Sequence, residues 1–283
     1  MNMKLSWFRS KNLALALMLM FGGYTAGTWS GASSAQAPQT AVQPNYDHLL
    51  NAVLFMQTSA EYRALTYQAF NVARMSLDRD LRHKTRDRRR RAVVVDVDET
   101  VLDNSPYQGW QILNHRNFEQ ASWAKWTGSG AAQAIPGAVD FLKYATSRGV
   151  RVFYITNRAK EELPGTLANL RKAGFPDISE ETVLLRDQVS SKEPRRAEVR
   201  KKHRIVLLVG DNLNDIAQVF ERKPIAERFA AVDENRTRWG TEYIVIPNAM
   251  YGEWENAVYE YTPGLNAAGR MEKRLSHLQT FTP

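Results

Sequence analysis

The 283-residue chain contains no cysteine. That excludes disulfides, thiolate metal sites and a lipid anchor on an N-terminal cysteine. Export stays open, because an oxidising compartment permits disulfides without requiring them. The apolar run LALALMLMF, Leu13 to Phe21, is too short for a comfortable membrane span. From Tyr46 to Leu81 there is neither Pro nor Gly, so nothing there breaks a helix. No internal repeat is visible. The basic segment LRHKTRDRRRR, Leu81 to Arg91, lacks the interleaved aromatic residues of a nucleic-acid surface, and it joins a helical pattern to a strand pattern. It reads as a solvated connector, with no nucleic-acid partner implied.

Apolar residues make up 43% of the chain and charged residues 24%, an ordinary balance for a soluble globular protein. The length suits one domain with decorations. A net charge of +8 overstates the basicity of the folded part, since Lys4, Arg9 and Lys11 precede the apolar run. Basic flank, short apolar core and the small-residue tract GASSAQA predict a secretory signal peptide over residues 1–37, cleaved after Ala35 or Ala37. Pro38 disfavours the second site. The expected location is periplasmic or secreted, with an uncleaved N-terminal anchor as the alternative. Residues 38–283 are then a single domain: a helical extension over 45–81, a core over 92–250 and a small insert over 104–137.

Within the extension, Leu49, Val53 and Met56 form a helical stripe, continued less regularly by Tyr62, Leu65, Phe70, Val72 and Met75; one or two helices are expected. Beyond Arg91 the chain alternates. Strand-like runs fall at 92–96, 151–156, 182–185, 205–210 and 243–246, with helical patterns at 138–147, 163–173, 194–202 and 214–222. Nearly all-apolar strands alternating with helices predict an α/β fold whose parallel sheet is covered on both faces. Ligands of such sheets bind beyond the carboxyl ends of the strands.

Those ends carry an ordered set of polar groups. The first strand ends in Asp96-Val97-Asp98-Glu99-Thr100, the second in Thr156-Asn157-Arg158 and the fourth in Gly210-Asp211-Asn212-Leu213-Asn214-Asp215; Lys192 lies in VSSKEPRR just past the third. Carboxylates at the mouth of a buried strand are costly unless they bind a metal, pair or react. A lone D-x-D also occurs in metal-binding glycosyltransferases. A lone Asp at a strand end often caps the next helix, a reading that stays open for Asp215. Arg186, Arg195 and Arg196 compete with Lys192 for the role of site cation.

The full set resembles the haloacid dehalogenase superfamily. VVDVDETVLDNSPY and VLLVGDNLND are similar to the paired signatures of the class C non-specific acid phosphatases, the group that includes bacterial 5'-nucleotidase lipoproteins. The likeness extends from Tyr46 to the C-terminus through MQTSAEYRALTYQAFN, AIPGAVDFLKY and IPNAMYGEWE. The acylated Cys of the lipoprotein members is absent, so lipid anchoring does not carry over. Ile216 stands where a Phe usually follows the second signature.

The resemblance implies a Rossmann-like haloacid dehalogenase core with a helical N-terminal extension and only a small cap insert. It implies Mg²⁺ as cofactor, held by side chains of Asp96 and Asp211, the backbone carbonyl of Asp98 and, through water, Asp215. Thr156, Asn157 and nearby backbone N–H groups would hold phosphoryl oxygens, and Lys192 would neutralise their charge. The chemistry of the residues agrees. Asp96 can attack phosphorus and form an aspartyl-phosphate, while Asp98, two residues on, can protonate the leaving oxygen and later deprotonate water.

The insert is rich in rings: Tyr107, Trp110, Phe118, Trp123 and Trp126, with Tyr251 and Trp254 added from the C-terminal segment. Aromatic faces stack on nucleobases, and Trp123 and Tyr251 are the candidates for substrate contact, although core packing is the commoner fate of such rings. The expected substrate is a small phosphomonoester such as a nucleoside monophosphate. A phosphotransferase using the same aspartyl-phosphate, and a non-catalytic storage or binding protein of the same fold, are the alternatives; Asp96, Asp98 and Asp211 argue against the second. A dehalogenase is disfavoured by Asp98. A homodimer is compatible with the resemblance.

Overall fold

The structure, a computed structural model, describes residues 47–282. The expected signal peptide and its spacer lie outside the described residues.

The Pro- and Gly-free stretch forms two helices, α1 (Asp47–Thr58) and α2 (Ala60–Arg82). Ser59 divides them: its backbone is extended and its hydroxyl accepts the Tyr62 N–H at 3.0 Å, which satisfies one orphan donor of the helix start. The α2 core stripe runs Tyr62, Thr66, Phe70, Ala73 and Leu77, with i, i+4 and i+3 spacing. Leu65 and Met75, expected on that stripe, face outward, 40% and 65% exposed. The small polar Thr66 takes the inward position instead, its hydroxyl bonded to the Arg63 carbonyl.

The sheet is built from β1 (Arg90–Val95), β4 (Arg151–Ala159), β5 (Val183–Arg186), β6 (His203–Gly210) and β7 (Tyr243–Val245); β2 (Leu102–Asp103) and β3 (Gln133–Ala134) form a separate antiparallel pair. The five strands lie in the order β5-β4-β1-β6-β7, all parallel. The chain moves outward from β1 to β4 and β5, then returns to the other side of β1 as β6. The strand order therefore reverses at β1 and β6, where ligand crevices form in such folds. Val93 and Val95 face one core with Phe70, Phe141 and Leu142; Ala92 and Val94 face the other with Val199 and Ile216.

The connections supply α3 (Ser105–Leu113), α4 (Gln120–Ser129), α5 (Ala138–Ser147), α6 (Leu163–Lys172), α7 (Glu193–Lys202), α8 (Leu213–Ile216), α9 (Ile225–Glu234), α10 (Glu253–Val258) and α11 (Ala267–Ser276). The helix expected over 214–222 is one turn, α8, followed by a 3₁₀ turn at Gln218–Phe220. Strand β4 continues three residues past its expected end. Thr156 and Arg158 are buried on one side of it while Asn157 is exposed on the other, the alternation of a strand.

Candidate active site

Parallel pairing of Val95 with Val209 sets the ends of β1 and β6 side by side, and the Asp96 N–H donates to the Val209 carbonyl at 3.0 Å. Asp96 and Asp211 thus emerge next to each other. Thr100 links the two loops. Its hydroxyl donates to Asp211 Oδ1 at 2.9 Å, accepts from the Asp211 N–H at 3.0 Å and lies 3.5 Å from Asp96 Oδ2. Asn248 Nδ2 donates to the other Asp211 oxygen at 2.9 Å. Gly210 is required by closeness rather than by backbone angle: a Cβ there would lie 2.5 Å from the Asp215 Cβ.

Lys192, at the start of α7, reaches across to this cluster. Its ammonium donates to Asp96 Oδ1 and lies 2.6 Å from Asp215 Oδ1. The other Asp215 oxygen accepts the Asn212 N–H at 3.0 Å, closing the capping box in which Asn212 caps α8. Arg196, fully buried, donates to the carbonyls of Asn214 and Asp215 and so holds the loop rather than the reaction centre. Arg195 donates to the Thr156 carbonyl and to Asn157 Oδ1 at 2.7 Å. Burial pushes its guanidinium down to about 10. Of the cations weighed for the site, Lys192 is the one in contact with Asp96.

One oxygen from each of Asp96, Asp211 and Asp215 falls within 4.8 Å of the others. Two buried carboxylates, Asp96 and Asp215, and the part-buried Asp211 face one ammonium, an excess of negative charge. Burial and the neighbouring Asp215 push Asp211 up to about 7. Burial raises Asp96 well above the usual carboxylate range; Lys192 opposes the shift, and Asp215, Asp211 and Asp98 reinforce it. For Lys192, burial works against the charge, but Asp215 and Asp96 outweigh it and the ammonium is held protonated. A hard divalent cation with oxygen preference fits this donor set and its charge.

Asp98 sits on different anchors. Arg158 Nη2 lies 2.8 Å from its Oδ1, with Arg158 Nε 3.0 Å from the same oxygen. The Thr156 hydroxyl donates to Oδ2 at 3.1 Å and Asn104 Nδ2 to Oδ1 at 2.9 Å. Between the two aspartates and Thr100, Glu99 adopts φ 57° and turns inward, where its carboxyl accepts the Asn104 N–H at 2.7 Å. Burial, then Asp98 and Asp211, raise Glu99 well above its ordinary value. The left-handed backbone there reverses the chain directly after Asp98, a strained conformation of the kind found at functional sites.

The two candidate rings are placed differently. Trp123 is 8% exposed and packs edge-on to Tyr107 at 5.1 Å, with Phe118 at 6.0 Å and the Arg158 guanidinium 5.8 Å over its face. It therefore roofs the arginine that holds Asp98. Tyr251 is half-buried, beside Gly252, whose added Cβ would come within 3.2 Å of Asn212; its loop lies against the one that carries Asp211.

Sequence alone gives no role to Arg158, Thr100, Asn104 or Asn248. Arg158 stood in the Thr-Asn-Arg strand end, and period-two alternation past Thr156 puts it on the same side as that threonine. Thr100 and Asn104 lie in the first signature and Asn248 in IPNAMYGEWE, so only their partners were hidden.

Comparison with known proteins identifies the family. Residues 19–254 match the family described as HAD superfamily, subfamily IIIB (acid phosphatase). The solved class C acid phosphatase from Bacillus anthracis superposes with a TM-score of 0.80 at 39% identity, over 83% of this chain and 98% of that one. Its tungstate-bound form gives 0.79 at 38% identity. Among curated proteins, acid phosphatase 1 of Solanum lycopersicum is 30% identical over 131 residues, 51% of its own length. A stem 31 kDa glycoprotein of Glycine max is 27% identical over 187 residues, 68% of its length. The chain belongs to the acid phosphatases of HAD subfamily IIIB and is a phosphomonoesterase.

Proposed function

We propose that this phosphomonoesterase is an exported, Mg²⁺-dependent enzyme that hydrolyses nucleoside 5'-monophosphates through an aspartyl-phosphate on Asp96. The observation that carries the reading is the separation of the two aspartates. Asp96 faces Lys192 and the carboxylate cluster, whereas Asp98 is gripped by Arg158, Thr156 and Asn104. One is set as nucleophile, the other as proton carrier.

In the first step an Asp96 oxygen bonds to phosphorus as the bond to the leaving oxygen breaks, and Asp98 gives that oxygen a proton. In the second, Asp98 takes a proton from water, whose oxygen attacks phosphorus and frees Asp96 and inorganic phosphate. Lys192 neutralises charge on the phosphoryl oxygens. Mg²⁺, held by Asp96, Asp211, the Asp98 carbonyl and, through water, Asp215, would add positive charge at the phosphoryl group.

Nucleotide preference rests on Tyr251, a part-buried aromatic residue packed against the core next to Gly252, which lies against Asn212 of the Asp211 loop, because aromatic faces stack on nucleobases. Export rests on the signal-peptide pattern of residues 1–37. A phosphate-release screen over nucleoside monophosphates, sugar phosphates and an aryl phosphate, run with Mg²⁺ and after chelation, tests the reading. Nucleotides are expected to lead, and chelation to abolish turnover. Full activity without metal would defeat the metal assignment. An added alcohol that captured most of the phosphate as a new ester would make the enzyme a phosphotransferase.

A further inference from the structure

At the opposite end of the sheet from the active site there is a basic cavity of about 610 Å³, lined by the connector from Leu81 to Arg91 and, across from it, by Arg148, Gly149 and Val150. Its cations differ in how they are engaged. Arg91 is paired with Asp80, Arg89 with Asp87, and Arg148 with Asp78. Lys84, Arg88 and Arg90 have exposed side chains with no ion pair or side-chain hydrogen bond among the described residues. Asp87 is the only acidic residue in the lining, and Arg89 already occupies it.

Three cations without an ion pair among the described residues, gathered at one concavity, repel one another. The β1 strand begins at Arg90 and its far end leads to Asp96, so the cavity sits roughly 20 Å from the nucleophile at about 3.3 Å per residue. It is therefore separate from the phosphatase site. A volume near 610 Å³ is on the order of twenty waters, far more than a single phosphate fills. The three open cations line the connector wall and Arg148, shared with Asp78, faces them, so a ligand lying along the connector and meeting all of them carries several negative charges along its length. Guanidinium groups favour phosphate oxygens through paired, charge-assisted hydrogen bonds.

We propose that this cavity binds a condensed phosphate, a chain of linked phosphoryl groups either free or carried on a nucleoside. Lys84, Arg88 and Arg90 supply the open contacts and Arg148 closes the far side.

The test is calorimetric titration of the full chain with tripolyphosphate and, separately, with a nucleoside triphosphate, beside the K84S/R88S/R90S variant. Loss of each cation is expected to weaken binding about tenfold, with hydrolysis of an aryl phosphate within twofold of the unaltered protein as proof of folding. Equal affinity for the two ligands means that the phosphate chain alone is read, and tighter binding of the nucleotide adds a base contact. Binding unchanged in the triple variant but displaced by tungstate would assign the ligand to the active site and overturn the proposal. So would absence of saturable binding, or attachment to anionic phospholipid vesicles that tripolyphosphate fails to compete away.

Discussion

Arg158 and Asp98 form an ion pair in which one side of a nearly buried guanidinium grips the carboxylate: Nη2 is 2.8 Å and Nε 3.0 Å from Oδ1. Arg158 is itself fixed, by Thr166 at 3.2 Å and by the Trp123 ring above it. A carboxylate so held has little freedom to wander from the proton it must move.

Arg158→Ala is therefore expected to lower turnover of nucleotides about 100-fold, the scale of an ångström of misplacement. Aryl phosphates, whose leaving oxygen needs no proton, are expected to lose less in the first step. Arg158→Lys restores charge without the fork and should recover only part of the loss. Steady-state kinetics on both substrate classes check this; equal losses on both, with no rescue by lysine, would mean that Arg158 only supports the fold.

The carboxylate cluster ties stability to pH in the metal-free protein. Asp211 is raised from 3.8 to about 7, by burial first and then by Asp215, and Asp96 and Glu99 are shifted the same way. A raised group binds more protons folded than unfolded, so its contribution is fully present below the unfolded value and is lost as pH rises through the folded one. With metal chelated, thermal stability should fall between about pH 4 and pH 7, by an amount on the order of a few kcal/mol. Added Mg²⁺ competes with those protons and should stabilise more at pH 7.5 than at pH 5. Melting curves at both pH values, with and without Mg²⁺, decide it; a Mg²⁺ shift that is larger at pH 5 would contradict the assignment.

The order of polar strand ends made the centre of the site legible, because each position follows an apolar run that can only be a buried strand. What stayed hidden were contacts between side chains distant in sequence. Thr100 meets Asp211 across 111 positions and Asn248 meets it across 37, separations that no periodicity encodes. Elements were lost for a related reason. The stripe of α2 misled at Leu65 and Met75 because an apolar side chain can face solvent. Helix α11 buries no residue, and its short stripe of Ala267, Met271 and Leu275 lies among charged residues that read equally well as a solvated tail.

The two rings chosen for substrate contact should now behave differently. Tyr251→Ala is expected to weaken nucleotide turnover by about 10-fold, the lower part of the range for one base–aromatic stack, with little change for a small non-aromatic phosphate. Trp123→Ala removes a buried ring and should cost about 3–5 kcal/mol of stability. It should also slow both substrates, because Arg158 loses its roof. Kinetic profiles of the two variants that matched each other would refute the distinction.

The sharpest division is between Asp96 and Asp98. Asp96→Asn removes the nucleophile, so no covalent intermediate forms and every substrate should fail. Asp98→Asn keeps the nucleophile and the backbone carbonyl assigned to Mg²⁺, and an amide in the same place can still accept from Arg158. It cannot protonate a nucleotide's departing alkoxide, but a stabilised aryl oxide leaves without help. Nor can it take a proton from water. With an aryl phosphate, Asp98→Asn should release one equivalent of phenol in a burst and then stall as phosphoenzyme. Intact-mass measurement after rapid quenching reads the added phosphoryl group directly. A phosphoenzyme in the Asp96 variant, or none in an Asp98 variant that still binds Mg²⁺, would reverse or remove the roles given to the pair.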